Sequence, residues 1–299
     1  MTEETLKCLR EAGRIAAAAR LGATREARSG ALLREVCGRI EQEIDRRGGG
    51  LAFPVQSSVN QVAAHYCPSP EDATTLAPGD LAKLDIGVHI DGWVVDTAVT
   101  VNVEDAPENR PLVAAAGAAL AAAIAVARPG VPIHELSSRI ESTIRSFGLR
   151  PLRNLCGHGV ARWTVHCPPP IPNVTDISDE VLAEGAVVAV EPFATDGLGL
   201  VTESGAAQVF RLDPRQDDSA PGSHPEVLAA IRALRGLPFA RRQLATFDRL
   251  ALEETLALLH REGRLTAYAP LVERTGRRVA QAEHTIYLGA SYNITDAWT

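Results

Sequence analysis

The sequence predicts a mixed fold of the α/β (α+β) class, in which helices and antiparallel strands occur in both halves of the chain. Apolar residues recur at helical spacing from Thr5 to Arg25 and from Ala31 to Arg47. An alternating apolar pattern then runs from Leu84 to Val101 around Asp91-Gly92, a dipeptide that favours a tight hairpin turn. Helical spacing returns after this hairpin and further strands follow, so the two halves show a loose internal symmetry.

The remaining elements are justified by the same patterns, taken in chain order. The predicted elements are helices at 5–25 and 31–47, ended by glycines at 48–50; a half-buried strand within 59–66; the hairpin of 84–101; helices at 112–126 and 133–147, ended by Gly148; and strands at 187–190 and 279–288. Between the last two strands, a Pro/Asp/Ser/Gly loop at 213–223 precedes helical patterns at 225–235, 241–247 and 250–261. We therefore expect a helical insertion over 206–270.

Composition excludes several classes of function. The chain has 299 residues, enough for one large domain or two small ones, and its net charge of -7 offers no basic surface for nucleic acid or anionic membrane. The alanine-rich run at 111–127 is shorter than the roughly 20 residues of a membrane-spanning helix, so we expect a buried helix. The five cysteines form no CxxC pair, and the first residues lack a signal-peptide pattern. We expect a cytoplasmic protein with reduced thiols.

Two aspartates in the predicted hairpin are the first candidates for chemistry. A two-residue turn at Asp91-Gly92 places position 87 opposite Asp96, so that Asp85 and Asp96 become diagonal neighbours on one face. Two such carboxylates are usually solvated acids at a sheet edge. Here apolar residues alternate with them, and the small Gly87 and Ala98 on the same face leave room for a bound ion. The hairpin alone is therefore compatible with a metal site.

Three further residues extend this hypothesis. His158 lies between two glycines in a segment that we expect to be a loop, Glu191 ends an apolar run, and Glu283 interrupts a strand-like run. Each of them alone is more often an ordinary solvated or packed residue.

Taken together, the five residues resemble the metal-binding set of the methionine aminopeptidases, in their archaeal-like type 2 form. The resemblance runs from about Phe53 to the C-terminus and is carried by Ala-Phe-Pro-Val at 52–55, Asn60-Gln-Val-Ala-Ala-His65-Tyr, Asp85-Ile-Gly-Val-His-Ile-Asp-Gly-Trp, Gly157-His158-Gly159, Val190-Glu191-Pro192-Phe193 and Gln281-Ala282-Glu283-His284-Thr285. It implies the pita-bread fold, a pseudo-symmetric, curved, mainly antiparallel sheet covered by helices. Residues 1–205 and 271–299 would form the catalytic domain, and 206–270 the type 2 insertion.

The resemblance also implies a dinuclear metal site. Asp96 and Glu283 would bridge two divalent ions, Asp85 would hold one of them through two oxygens, and His158 with Glu191 would complete the other. Such oxygen-rich ligands suit Co, Mn, Fe or Zn. The implied activity is removal of the initiator methionine before a small second residue, by a metal-bridged hydroxide that attacks the peptide carbonyl. Implied substrates are peptides and nascent chains with an N-terminal methionine; we expect a monomer with transient ribosome contact, without direct binding to nucleic acid or membrane.

The same resemblance assigns residues that contact the substrate. His65 and His166 would bind the scissile amide and its developing oxyanion, and Glu191 would pass a proton to the leaving amine. Phe53 and Tyr268 would form walls of the methionine pocket. Two departures from the family pattern concern this pocket: Cys167-Pro168 follows His166, and Gln208-Val209 stands where some type 2 enzymes have a histidine.

Two alternative functions share these features. A proline-specific peptidase of the same fold would use the paired aspartates and the later ligands, but it usually has an additional N-terminal domain and lacks the helical insertion. A non-catalytic relative that binds RNA or histones typically has a broken ligand set, whereas all five ligand types are present here.

Overall fold

A computed structural model of the chain describes residues 1–213, 220–289 and 292–293. Its helices are α1 (Glu3–Glu26), α2 (Leu33–Arg46), α3 (Arg110–Val126), α4 (Ile133–Ser146), α5 (Pro225–Ala233) and α6 (Arg249–Arg261), with short 3-10 helices at Val103–Asp105, Pro107–Asn109 and Arg241–Leu244. Its strands are β1 (Gly50–Leu51), β2 (Gln56–Val59), β3 (Val62–Ala64), β4 (Leu81–Ile90), β5 (Trp93–Asn102), β6 (Arg150–Pro151), β7 (Cys156–Ala161), β8 (Thr164–Pro172), β9 (Val187–Val190), β10 (Phe193–Thr195), β11 (Val201–Glu203), β12 (Val209–Leu212), β13 (Phe239–Ala240), β14 (Leu265–Tyr268), β15 (Leu271–Glu273), β16 (Val279–Gln281), β17 (Glu283–Tyr287) and β18 (Tyr292–Asn293).

A nine-stranded antiparallel sheet forms the centre of the molecule. Its strands lie in the order β1-β4-β5-β17-β9-β7-β8, with β2 also paired to β4 and β18 to β17. The pairing of β5 with β17 joins the strands of the first half of the chain to those of the second half. The functional side chains therefore come from strands near the middle of one sheet, although they are far apart in sequence.

Two helix pairs cover one face of this sheet. Leu9, Ile15 and Ile40 of α1 and α2 pack with Leu84 and Ile86 of β4 in one core cluster. The pair α3 and α4 packs in a second cluster against β9, β16 and β17. Because side chains alternate along a strand, the residues between these apolar positions point to the opposite face of the sheet.

The alanine-rich helix α3 is a packed core element, as the sequence predicts. Its length and apolar composition over Pro107–Val126 would also suit a membrane span. However, Ala115, Ala116, Ala119 and Ala123 are fully buried. Alanines on this face let the helix lie close to the sheet, and the burial of the apolar face stabilises it.

The segment between β11 and β15 contains strands as well as helices. The expected helices at 225–235 and 250–261 correspond to α5 and α6, whereas the helix expected at 241–247 is only a short 3-10 turn. A three-stranded sheet of β13, β12 and β14 was not predicted. Its apolar residues pack with α5 and α6 in a separate core. Residues 214–219 of the predicted loop lie outside the described residues, and the division of the chain at 206 and 270 stays a prediction.

Candidate metal centre

The β4–β5 hairpin has the register that the sequence predicts. Ile90 pairs with Trp93 across the turn, Gly87 pairs with Asp96, and Asp85 pairs with Ala98. Asp85 and Asp96 are therefore diagonal neighbours. Asp96 is buried, and Asp85 is partly buried with its Oδ1 atom inaccessible, so they are not the solvated acids of an exposed hairpin.

The third strand of the site is β17, which places Glu283 opposite Ala98. Asp85, Ala98 and Glu283 thus lie side by side across β4, β5 and β17, and the alanine leaves space between the two acids. On the helix-covered face, Arg20 of α1 donates to Thr97 over 3.0 Å and contacts His284. By alternation, Asp96 and Glu283 point away from the helices into the opposite face.

His158 and Glu191 come from the second half of the sheet. His158 lies in β7 rather than in the expected loop, and it pairs with Ala189 of β9. Glu191 directly follows β9, one residue beyond the pairing of Val190 with His284. Continuing that ladder places Glu191 opposite Glu283.

The glycines that flank His158 allow the backbone to pack closely. A Cβ atom at position 157 would lie 2.3 Å from the carbonyl oxygen of Ala189, and one at position 159 would lie 2.3 Å from that of Pro168. Close approach is what the sequence predicts for these glycines, although it occurs between strands and not in a loop.

The structure brings all five predicted ligands to one site. His158 Nε2 lies 3.8 Å from Asp96 Oδ2 and 3.6 Å from Glu191 Oε1. Ligand atoms of Asp96, His158 and Glu283 lie within 4.8 Å of one another. All five side chains line one cavity of about 210 Å³.

The site is electrostatically unfavourable without a cation. Burial raises the pKa of Asp85 to about 7, and burial together with neighbouring carboxylates holds the pKa values of Asp96, Glu191 and Glu283 well above their ordinary values. Burial lowers the pKa of His158 to about 4. At neutral pH the imidazole is therefore uncharged and able to act as a ligand, and it does not neutralise the acids.

Unpaired buried oxygens indicate where a cation fits. Among the described residues, Asp85 Oδ1, Asp96 Oδ1 and Glu283 Oε1 are buried without a hydrogen-bond partner. Orphaned buried acceptors are rare in folded proteins because each one costs desolvation energy. Four carboxylates with one neutral imidazole are a donor set that suits hard or borderline divalent ions. The residues present therefore fit the predicted metal centre.

The predicted substrate-contacting residues surround the same cavity. His65, His166, Phe53 and Tyr268 all line it. The rings of His158 and His166 are 4.2 Å apart, and those of His65 and Tyr268 are 5.5 Å apart. Burial lowers the pKa values of both His65 and His166, and that of His166, which is also near His158, to about 3.

One expectation about this cavity needs correction. The sequence suggests that Gly87 leaves room for a bound ion, but a Cβ atom at this position would lie 2.2 Å from the ring of Phe53. Gly87 thus makes room for the ring of Phe53, which is a wall of the cavity. Ala98 is the small residue that leaves space between Asp85 and Glu283.

Other residues of the site were missed by sequence reasoning. Gln281 of β16 is buried, and its Nε2 donates to Glu191 Oε2 over 3.2 Å and to Glu283 Oε2 over 3.4 Å. In the sequence, the one indication of this role is that Gln281 lies two residues before Glu283 in the Gln-Ala-Glu motif. Further cavity-lining residues without a prediction are Gln56, Ala64, Asn154, Leu155, Cys156, Val165, Phe193, Val209 and Pro238.

Comparison with known proteins agrees with this geometry. Residues 7–213 match metallopeptidase family M24. A methionine aminopeptidase from Methanothermobacter thermautotrophicus is 40% identical over 289 residues, which cover 96% of this chain and 95% of the relative. The chain belongs to the methionine aminopeptidases of metallopeptidase family M24.

Further members of the family extend the likeness. A methionine aminopeptidase from Pyrococcus horikoshii is 43% identical over 279 residues, which cover 92% of this chain and 94% of the relative. The solved methionine aminopeptidase from Thermotoga maritima superimposes with a TM-score of 0.72 at 21% identity, covering 99% of this chain and 98% of that one. The predicted family and the predicted methionine aminopeptidase fold are thus confirmed.

Proposed function

We propose that this protein is a metal-dependent aminopeptidase that removes the N-terminal methionine from protein chains whose second residue is small. The observation that carries this proposal is the convergence of Asp85, Asp96, His158, Glu191 and Glu283 at one cavity. The same cavity has apolar walls beside the charged residues, as a site for an apolar N-terminal side chain requires. The family membership supports the same activity.

We further propose that these five residues hold two divalent ions, Co, Mn, Fe or Zn. Two ions are supported by the number of acids, since four carboxylates provide more oxygens than one ion with an imidazole ligand needs, and three of those oxygens have no described partner. Bound divalent ions would polarise the peptide carbonyl and lower the pKa of water near it. Gln281 would orient Glu191 and Glu283 toward the ions through its two hydrogen bonds.

Three side chains of the cavity would handle the proton and the substrate. Glu191 would accept a proton from the attacking water and deliver it to the leaving amine. His65 is partly buried and His166 is partly open to solvent at the cavity. Both rings are uncharged at neutral pH, because desolvation lowers their pKa values. Each neutral imidazole has one N–H to donate, so they would bind the scissile amide and stabilise the negative charge that develops on its oxygen.

The apolar part of the cavity would select methionine. Phe53 and Tyr268 would be two of its walls, and burial of a methionine side chain there would contribute roughly 1.5 to 3 kcal/mol to binding.

We also propose that the protein is a cytoplasmic monomer that contacts ribosomes transiently. All five cysteines are free thiols, which is consistent with a reducing compartment.

The decisive experiment is release of methionine from the peptide Met-Ala-Ser after the protein is loaded with Mn or Co. We expect turnover by the wild type, and a loss of at least about a thousandfold in Glu283→Ala because a ligand between the other acids is removed. Glu184→Ala, at an exposed glutamate, is the matched control and should keep full activity.

Two outcomes would contradict the proposal. The first is absence of turnover with any divalent metal. The second is faster cleavage of Xaa-Pro dipeptides than of Met-Ala-Ser, which would instead indicate a proline-specific peptidase.

A further inference from the structure

Residues 235–242, which we call the strap, follow α5, include β13 and end in the 3-10 helix Arg241–Leu244. Pro238 at the middle of the strap lines the cavity together with Phe53 and Tyr268. These walls come from three separate parts of the chain. The width of the cavity therefore depends on how the strap is held against the connection between β1 and β2, which carries Phe53.

The first end of the strap is fixed by a contact with a tryptophan. The guanidinium carbon of Arg235 lies 4.7 Å from the ring centroid of Trp163, between β7 and β8. Trp163 in turn packs against the ring of His89 in β4 at 4.9 Å. Arg235 has a left-handed backbone conformation with φ of 56°, which is uncommon for a residue other than glycine and here ends helix α5.

The middle of the strap is anchored in the core of the central sheet. Leu237 is 2% exposed and belongs to the cluster formed by α1, α2 and β4. Phe239, two residues later, packs instead in the separate core of α5 and α6. Pro238 lies between these two residues, so the strap crosses from one core to the other where it lines the cavity.

The second end of the strap is held by a buried ion pair. Both terminal nitrogens of Arg242 donate to the carboxylate of Glu41 in α2, and the two side chains are 12% and 13% exposed. The same guanidinium donates to the carbonyl oxygen of Val55 over 3.1 Å, and Glu41 accepts from the Val55 N–H over 2.9 Å.

This ion pair links two walls of the cavity. Val55 lies two residues after Phe53, so Glu41 fixes the segment that carries one wall. Arg242 lies four residues after Pro238 and fixes the strap that carries another. Bidentate pairing of a guanidinium with a carboxylate holds both partners in one orientation, and loss of either partner leaves a buried charge.

The neighbouring arginine provides a contrast. Arg241 pairs with Glu253 of α6 over 2.9 Å and lies 4.5 Å from the ring of Phe210. Both partners belong to the same segment between β11 and β15. Arg241 therefore also makes an ion pair with a glutamate, more exposed than that of Arg242, but it does not join two walls of the cavity.

We infer that the strap is a specificity-determining wall of the substrate pocket, and that the Arg242–Glu41 ion pair is a positioning device that sets the pocket's width by joining Pro238 to Phe53. The inference rests on the proposed function, since it identifies what makes the pocket selective for methionine. The narrow pocket admits the unbranched methionine side chain. Separation of its walls would weaken contacts with methionine and admit branched side chains such as leucine.

The first test compares Arg242→Met with Arg241→Met as matched control, using Met-Ala-Ser and Leu-Ala-Ser. In Arg242→Met we expect the ratio of kcat/KM values, methionine over leucine, to fall about tenfold, since pocket contacts of one or two methylene groups discriminate on this scale. The change should lie mainly in KM because the metal ligands are unaffected. Arg241→Met should keep the ratio within about twofold of the wild type.

Pro238→Ala tests the wall directly and does not disturb the ion pair. Its shorter side chain widens the cavity, so cleavage of Leu-Ala-Ser should increase relative to Met-Ala-Ser. This variant also keeps the test conclusive if Arg242→Met does not fold. An unchanged selectivity ratio in Pro238→Ala would overturn the inference, as would a lower melting temperature of Arg242→Met with the wild-type ratio, because the contacts would then be structural only.

A binding measurement separates this inference from the proposed function. Free methionine and leucine are titrated into the wild type and Pro238→Ala by calorimetry. A wild type that binds methionine in preference to leucine, with the preference lost in Pro238→Ala, supports the strap even if no peptide is cleaved. Equal binding of the two amino acids by the wild type contradicts it, whatever the activity.

Discussion

At the scale of single residues, Gln281 connects two acids of the proposed metal centre. Its amide nitrogen is shared between carboxylate oxygens of Glu191 and Glu283. Its backbone N–H and C=O are both bonded to Thr100 Oγ1, so β16 is fixed beside β5. Each acid thus has one oxygen held by the protein, and the other oxygen would face a bound ion.

We predict that Gln281→Met, which keeps the side-chain length but removes the donors, weakens Mn binding by about ten- to hundredfold. The two acids would lose their common donor and repel each other more strongly. Titration calorimetry of the stripped protein measures the effect. Gln61→Met, on the exposed turn between β2 and β3, is the control and should bind Mn like the wild type. Equal affinities of Gln281→Met and Gln61→Met would show that the amide does not orient the ligands.

The role of Gln281 could not be predicted from the sequence, whereas the pairing of Asp85 with Asp96 could. The two aspartates belong to one hairpin, whose turn at Asp91-Gly92 determines the register by local geometry alone. Gln281 acquires its role only when β9, β16 and β17 meet. His158 was placed by resemblance, and the assignment of its segment to a loop was wrong because glycines also occur where strands pack closely.

At the scale of elements, the glycines illustrate two opposite effects of the same residue type. Gly159 in β7 faces the carbonyl oxygens of Cys167 and Pro168, so any Cβ atom there would displace β8. Gly117 is exposed in α3, with nothing within 4 Å of the position that a Cβ atom would occupy. The first glycine is required by packing, and the second only adds backbone freedom to the unfolded chain.

We predict that Gly159→Ala lowers kcat/KM for Met-Ala-Ser by about a hundredfold, because displacement of β8 moves His166 away from His158. Gly117→Ala should keep full activity and raise the free energy of unfolding by about 0.5 to 1 kcal/mol, since alanine restricts the unfolded chain and favours the helix. Steady-state kinetics and chemical denaturation measure the two effects. Full activity in Gly159→Ala would mean that β8 can shift without moving His166.

The strap and the small sheet of β13, β12 and β14 explain why elements between β11 and β15 were predicted less well. Helices α5 and α6 have periodic apolar patterns, and the sequence predicts both of them. The strands there have only two to four residues, too few for a recognisable alternation. Pro238 lies between two short elements, and its position depends on contacts of Arg235 and Arg242 with remote parts of the chain.

At the scale of the whole molecule, the proposed metal centre lies where the two halves of the sheet join. Asp85 and Asp96 belong to the first half, His158 and Glu191 to the second, and Glu283 to the strand between them. Buried Lys83 holds the same junction from another side, since its Nζ donates to the carbonyl oxygens of Asn60, Leu81 and Val279. No sequence pattern indicates this lysine, because its partners are backbone groups brought together by the fold.

Since acids from both halves meet at this junction, metal binding, protonation and stability should be coupled. The four carboxylates have raised pKa values in the folded protein, and the higher of their two ordinary pKa values is 4.5. Above pH 4.5, the folded protein without metal therefore binds more protons than the unfolded chain. Their protonation stabilises the fold at low pH, and this contribution is lost as the pH rises through their folded-state pKa values, about 7 for Asp85. Metal binding replaces the lost protons.

We therefore predict that Mn binding at pH 7 releases about two or more protons from the carboxylates. His158 contributes none, because burial already lowers its pKa to about 4. The difference in melting temperature between loaded and stripped protein should widen by about 5 °C or more from pH 6 to pH 8. Burial also lowers the pKa of Lys83 to about 7. Lys83 titrates in the loaded and in the stripped protein alike, so its effect cancels in the difference between their melting temperatures.

Calorimetry in buffers of different ionisation enthalpy counts the released protons. Release of no proton, with a temperature difference independent of pH, would show that the acids are already ionised without metal.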